Sequence, residues 1–237
     1  MGNSRNTTSH GIEHEAEHNI DWQNIDTVLF DMDGTLLDLH YDNYFWLHYL
    51  PKQYARLKNW HEDKARSFLE NKIRNQLGTL NFYCIDYWSD QLQIDIVALK
   101  YEVQNRIQFL PYAEKLLSAV NTLPAQSLIV TNAHRKTLAV KDATINISSY
   151  VDEVYASHDF GIPKEDPEFW QQFAKAFSFD PSRTVFVDDN EQVLASAATY
   201  GIRHLIMPLN PDSQRPAQTI RQPECYTGIQ SLAELIP

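Results

Sequence analysis

From Asp26 onward the chain alternates short apolar runs with amphipathic stretches. Three runs are apolar almost throughout and stop at a polar residue: TVLF (27–30) before Asp31, SLIV (127–130) before Thr131 and TVFV (184–187) before Asp188. Runs of this kind, with no in-out alternation, suit strands buried on both faces, which is the habit of parallel sheets. Elsewhere the apolar positions recur at helical spacing. The pattern predicts helices over 111–122, 134–142, 166–178 and 190–200, and further strands near 153–156 and 203–207. Strand-helix alternation predicts a doubly wound α/β domain. Ligands of such a domain bind in the crevice beyond the carboxyl ends of its strands.

Between Leu39 and Leu110 the rhythm breaks, because no buried strand is legible there. That stretch reads as several helices, punctuated by Pro51 and by a turn at 77–81 that contains Gly78. The division expected is therefore a core of 21–39 and 111–237, a helical second domain of 40–110, and a polar tail of 1–20. His10, His14 and His18 would share one face of a helical tail, but a solvated tail is the plainer reading.

Charge divides the chain along the same lines. Its 20 Lys+Arg and 31 Asp+Glu give a net −11. Residues 41–110 carry 9 basic and 8 acidic groups, so the acid surplus lies outside the insertion, which also holds 14 of the 28 aromatics. A surplus of acid disfavours a nucleic-acid polymer as partner, since such binding needs clustered cations. Apolar content of 43% is that of a globular chain. No apolar run approaches the roughly 20 residues of a membrane span. The start, MGNSRN, has no secretory core and lacks Ser or Thr at the sixth position of a myristoylation pattern. Two scattered cysteines, Cys84 and Cys225, fit reduced thiols. The expectation is a cytoplasmic protein with no membrane partner.

Candidate chemistry sits at the strand ends. In DMDGTLLD (31–38) two carboxylates stand at i and i+2 on the turn leaving a buried run. Like charges placed so close are costly for folding alone. The pair suits a nucleophile beside a general acid/base, with a cation to tolerate the charge. Gly34 would permit the bend, and Thr35 could hydrogen-bond within the loop to fix the second Asp. Thr131 and Asn132 supply a hydroxyl and backbone N–H groups for a phosphate, although turn capping explains them as well. Lys164, in FGIPKEDPEFW, could neutralise a phosphate and a carboxylate together, or simply be solvated. Asp188 and Asp189 offer hard oxygen ligands to Mg²⁺, and Asp189 or Asn190 could also cap the next helix.

All four signals, in this order and each at the end of an apolar run, resemble the haloacid dehalogenase (HAD) superfamily of aspartyl-phosphate-forming hydrolases. The resemblance implies a HAD-type Rossmann-like parallel sheet with an inserted α-helical cap of the first cap class. It makes Asp31 the nucleophile and Asp33 the general acid/base, with Thr131 and Lys164 as the remaining catalytic groups. It implies phosphate binding by Asp31, Met32, Asp33, Thr131, Asn132 and Lys164. It also implies Mg²⁺, or Mn²⁺ or Co²⁺ in its place, on Asp31, Asp33 (through its backbone carbonyl), Asp189 and Asp188, with Asp189 the direct ligand and Asp188 accessory. Two departures from the common pattern are visible: Lys164 follows Pro163 and precedes Glu165, and Val193 occupies the position where a second spaced acid is usual.

Further stretches, DLHYDNYFW, TLNFYCIDYWSDQL, TNAHRKTLAVK and NPDS, are similar to the superfamily's bacterial purine 5′-nucleotidases. That implies a nucleoside monophosphate substrate such as GMP or IMP. At the cap entrance His40, Asp42, Asn43, Phe45 and Trp46 are the candidates for specificity. Asp42 and Asn43 could read a purine edge and Phe45 or Trp46 its face; equally, the first two could cap a helix and the others fill its core. A phosphatase of sugar phosphates or another small phosphometabolite is the alternative enzyme, and a non-catalytic phosphate-binding module the alternative outside catalysis.

Overall fold

The computed structural model describes residues 20–219 and 226–237. Apart from Ile20, the expected tail with its three histidines lies outside them, as does Cys225. Among the described residues no helix is long and apolar enough to cross a membrane.

Strand β1 (Thr27–Phe30) enters the centre of the sheet. The chain then leaves into helices α1 (His40–Tyr44), α2 (Leu50–Lys58), α3 (Glu62–Arg74), α4 (Leu80–Tyr83), α5 (Ile85–Leu92) and α6 (Ile96–Glu102). It returns through α7 (Ala113–Val120), β2 (Gln126–Thr131), α8 (Arg135–Ile145) and β3 (Glu153–Ala156). It finishes with α9 (Pro167–Ala176), β4 (Thr184–Val187), α10 (Glu191–Tyr200), β5 (His204–Pro208) and β6 (Thr227–Ile229). The six strands are parallel in the order β3-β2-β1-β4-β5-β6. Connections after β1 and β4 run to opposite sides, so the crevice of this doubly wound sheet opens between those two strands.

Side chains alternate across the sheet as the pleat requires. Phe30, Ile129 and Val187 face one core, with Leu116 and Val140 of α7 and α8. Leu29, Val130 and Phe186 face the other, with Phe169, Phe173 and Leu194 of α9 and α10. The first core runs without a break into the insertion, through Tyr41, Phe45 and Trp88. Helix ends follow local chemistry. Asp166 accepts from the Glu168 N–H ahead of Pro167, and Asn190, rather than Asp189, accepts from the Gln192 N–H.

Two features depart from the expected elements. Pro51 does not end a helix: a π-helical turn, Phe45–Tyr49, joins α1 to α2 directly before it. A proline ring collides with the carbonyl four residues back in an α-helix, and a widened turn relieves that contact. Strand β6 was not expected, because Thr227, Gly228 and Ile229 are too few and too polar to make a run.

The second core gives the first test. Trp170 is fully buried and donates from Nε1 to Ser196 Oγ at 3.1 Å. We expect Trp170→Ala to cost ~3–5 kcal/mol in urea unfolding. Leu57→Ala, at a side chain 53% exposed, should stay within ~0.5 kcal/mol.

Candidate active site

The loop after β1 is a tight one. Leu36 and Leu37 N–H groups both donate to the Met32 carbonyl, and Gly34 N–H donates to Leu37. Gly34 has φ +84°, and a Cβ there would run into the Asp189 carboxylate. Both constraints require glycine. The Met32 side chain is fully buried, so only its backbone can face a phosphate. Thr35 is also fully buried, and its hydroxyl has no hydrogen-bond partner. That corrects the expected role of Thr35: loop closure is a backbone matter, and its hydroxyl fixes nothing.

The strand ends converge as the sequence pattern predicted. Lys164 Nζ, 1% exposed, donates to Asp31 Oδ1 at 2.5 Å, to Asp188 Oδ2 at 2.7 Å and to the Val130 carbonyl at 2.8 Å. Its ammonium is held above the ordinary lysine range: burial opposes the charge, but Asp188 and Asp31 outweigh it. Asp31 is pushed up from the usual aspartate value by burial, against the pull of Lys164. Thr131 Oγ1 accepts from the Ala133 N–H at 3.0 Å. The Asn132 side chain is already committed, accepting from the Lys164 N–H and donating to Glu165 at 2.8 Å. Any phosphate contact by Asn132 therefore falls to its backbone. Glu165, which stands where the common pattern has proline, also accepts from the Tyr83 hydroxyl at 2.5 Å. It thus ties the insertion to the Lys164 loop.

A second lysine was not foreseen. Lys141 on α8, 1% exposed, is paired with Asp33 and lies 2.7 Å from Asp42 Oδ2. Lys100 on α6 takes Asp42 Oδ1 at 2.8 Å. Asp33 is nevertheless pushed up to about 6, by burial first, with Lys141 opposing and Asp42 and Asp31 adding to the rise. The available signal was a lysine on the buried face of α8, one turn beyond Thr137 and next to Val140. A charge count on Asp31, Asp33, Asp188, Asp189 and Lys164 alone leaves Lys141 out, and so overstates the local negative charge.

The candidates at the insertion entrance separate in space. Asp42 is consumed by its two lysines and held well below its ordinary value: burial opposes the charge, and Lys100 and Lys141 prevail. It neither caps a helix nor has an edge to offer a purine. Phe45 is fully buried, with Trp46 edge-on and Lys100 over its ring, which corrects the idea that it stacks on a base. Asn43 donates to Asp212 Oδ2 at 2.6 Å, and His40 lies 3.7 Å from Asp212 Oδ1. Asn43 and Trp46 line a cavity of about 340 Å³ with Phe82, Trp88 and Thr137. The Thr137 hydroxyl is buried and unpartnered. The cavity meets a larger polar cleft of about 750 Å³, which holds Asp31, Thr131, Lys164, Asp188 and Asp189. Asp33, Leu39, Tyr83 and Ala133 line both spaces.

The donor set fits a hard divalent cation. Both oxygens of Asp188 are taken, by Lys164 and by the Asn190 N–H. Asp189 has no donor among the described residues. Its carboxyl is pushed well above the usual value by burial, then by Asp188 and Asp31. A carboxylate crowded by carboxylates with no cation of its own is a natural oxygen ligand for Mg²⁺.

Comparisons with known proteins agree with this geometry. Residues 25–201 match the model of the haloacid dehalogenase-like hydrolase family. The chain is 40% identical over 195 residues to GMP/IMP nucleotidase YrfG of Escherichia coli strain K12, covering 82% of this chain and 88% of that one. Among solved structures it is similar in fold to a HAD phosphatase from Thermococcus onnurineus, with TM-score 0.72, 19% identity, and 89% and 96% of the two chains covered. A magnesium-bound HAD hydrolase, YfnB of Bacillus subtilis, aligns with TM-score 0.62 at 19% identity, covering 89% and 96%.

The isolation of Asp189 has a measurable effect on stability. Its raised folded-state value means that the folded chain holds a proton which the unfolded chain releases above about 4. Without metal, that stability is present at low pH and is lost as pH rises. In EDTA we expect Asp189→Asn to raise Tm, by more at about pH 8 than at about pH 5. An unchanged or lowered Tm at the higher pH would contradict the assigned strain.

Proposed function

The chain belongs to the haloacid dehalogenase-like hydrolases, and on that footing we propose that it removes the 5′-phosphate from purine nucleoside monophosphates such as GMP and IMP. The observation that carries this reading is the meeting of two unlike spaces at Asp33: a charged cleft lined by Asp31, Thr131 and Lys164 and a mostly apolar cavity behind it. A leaving group seated in that cavity would place its ester oxygen beside Asp33. A volume of about 340 Å³ lies in the range of small-molecule sites. The 40% identity to a protein described as a GMP/IMP nucleotidase supports the same substrate class.

The proposed chemistry follows from the side chains. Lys164 orients the Asp31 carboxylate, which attacks phosphorus in line; an acyl-phosphate bond forms as the bond to the 5′-oxygen breaks. Asp33, with a value near 6, is protonated often enough at neutral pH to give that oxygen its proton. It then takes a proton from the water that hydrolyses the acyl-phosphate, freeing Asp31 and inorganic phosphate. Lys164, through its charge, and the Thr131 hydroxyl, through its free proton, stabilise the phosphoryl oxygens. Asp31, the Asp33 backbone carbonyl and Asp189 would hold Mg²⁺, with Asp188 accessory, and the cation would supply positive charge at the phosphoryl oxygens; Mn²⁺ or Co²⁺ suits the same donors. We assign residues 40–110 as the cap that shields the reaction from bulk water.

Three experiments test this. Ranked by kcat/KM with Mg²⁺, GMP and IMP should lead sugar phosphates and pyridoxal phosphate. A sugar phosphate in front would overturn the substrate class and leave the hydrolase standing. Asp31→Asn should lower kcat by about 10⁴-fold or more, and EDTA should silence the wild type until Mg²⁺ is restored. Near-normal phosphate release by Asp31→Asn would remove Asp31 as nucleophile.

A further inference from the structure

Beside the cleft, three side chains that the hydrolysis does not use come together. Cys84 lies between α4 and α5 in the insertion, His134 directly precedes α8, and His158 follows β3. One ligand atom from each, a sulfur and two ring nitrogens, lies within 4.8 Å of the others. The two imidazoles meet edge to face, with centroids 4.8 Å apart at 89°.

The two imidazoles are poorly satisfied by the protein alone. Neither His158 nitrogen, both sealed from solvent, makes a well-formed hydrogen bond, the Asn132 backbone being the one hydrogen-bonding group among the described residues near enough to act on the ring, and polar atoms avoid so poor a match unless something else occupies the place. Burial, then His134, keeps that ring neutral, with a value of about 4, so it carries a lone pair at physiological pH. His134 Nδ1 takes only a long contact, 3.3 Å, from the Lys136 N–H, and its Nε2 points toward Asp86 at 3.8 Å. Cys84 Sγ is half-buried and takes a 3.4 Å contact from the Tyr87 N–H.

We propose that Cys84, His134 and His158 form a second metal site, for a zinc-class divalent cation, which when filled ties the helical insertion to the carboxyl edge of the sheet. A thiolate with two imidazoles is a borderline-soft donor set that selects Zn²⁺ or Co²⁺ over Mg²⁺, the reverse of the carboxylate cluster. Ligand bonds of ~2.0–2.3 Å put tetrahedral donors ~3.5 Å apart, so the three groups have only to close by about 1 Å. On binding, the Cys84 thiol releases its proton to solvent. His134 ligates through Nε2, which moves its proton to Nδ1 and gives up the weak Lys136 contact. Three protein ligands leave a fourth position open beside Asp86. The inference does not depend on which phosphomonoester is hydrolysed.

Cobalt reads this site separately from the cluster, because only a sulfur ligand gives a thiolate-to-cobalt charge-transfer band. Full-length protein, stripped with chelator and kept in excess Mg²⁺, should develop that band and tetrahedral d–d absorption with one equivalent of Co²⁺, and Zn²⁺ should displace both. Cys84→Ser should abolish the charge-transfer band, and His158→Ala should weaken Co²⁺ binding by about ten-fold or more. Asp189→Asn should keep the spectrum intact. Thermal unfolding of each variant in chelator confirms that it still folds. The proposal is overturned if the wild type shows no charge-transfer band, if the band survives Cys84→Ser, or if it is lost in Asp189→Asn.

Discussion

The structure turns on the burial of lysines among carboxylates at the carboxyl edge of the sheet. Lys164, Lys141 and Lys100 are each 1% exposed. An ammonium in that position is tolerated only when it is paired and hydrogen-bonded, and removing one partner of such a pair leaves an uncompensated charge. Lys164 therefore requires Asp31 and Asp188, and Lys141 and Lys100 require Asp33 and Asp42. The first set locks the ends of β1 and β4 to the loop before α9. The second locks the β1 loop and α8 to α1 and α6. One electrostatic requirement thereby sets both the carboxylates at the strand ends and the seat of the insertion.

The same requirement explains the character of the seam between insertion and sheet. Its inner part is the buried Asp42 network, the Tyr83–Glu165 bond and the Asn43–Asp212 bond. Its outer part includes Lys136–Asp86, whose side chains are 56% and 47% exposed. Exposed pairs contribute little and are screened by salt. The seam is thus firm beside Asp33 and weak at its rim, which suits a cover anchored at one edge. Asp38 belongs to the firm part. Burial would raise its carboxyl, but bonds from Ser213, His40 and Gln108 hold it below the ordinary value.

Much of this was legible in the chain, for physical reasons that can be named. A strand buried on both faces has to be apolar, so TVLF, SLIV and TVFV announced themselves, and each placed its polar end residue at the crevice. Lys141 was hidden because a lysine on a helix is ordinarily solvated; only the apolar company of Leu138 and Val140 set it apart. Thr35 misled because a hydroxyl in a turn usually finds a partner, whereas here the loop closes through the Met32 and Leu37 carbonyls. Strand β6 was unreadable because an edge strand of three residues has no period to detect. The stretches that carried the family resemblance beyond the catalytic motifs fall on the seam. Asp42 from DLHYDNYFW meets Lys141 from TNAHRKTLAVK, and Asn43 meets Asp212 from NPDS. Tyr83 from TLNFYCIDYWSDQL meets Glu165 from FGIPKED.

That placement bears on selectivity. If Asp42 had been free, a purine edge could have been read by a charged group next to Asp33. Its two lysines take both oxygens, and Phe45 is spent on the core beneath it. In the proposed reaction, recognition of the leaving group would fall to the walls of the apolar cavity, where Trp46 offers ring surface and the buried Thr137 hydroxyl is unpartnered. A ligand group able to bond that hydroxyl would relieve a buried polar atom, and one lacking it would leave the penalty in place. Discrimination of this kind depends on a polar edge presented against an aromatic wall, and a purine has such an edge where a simple sugar phosphate has no flat face to set beside it.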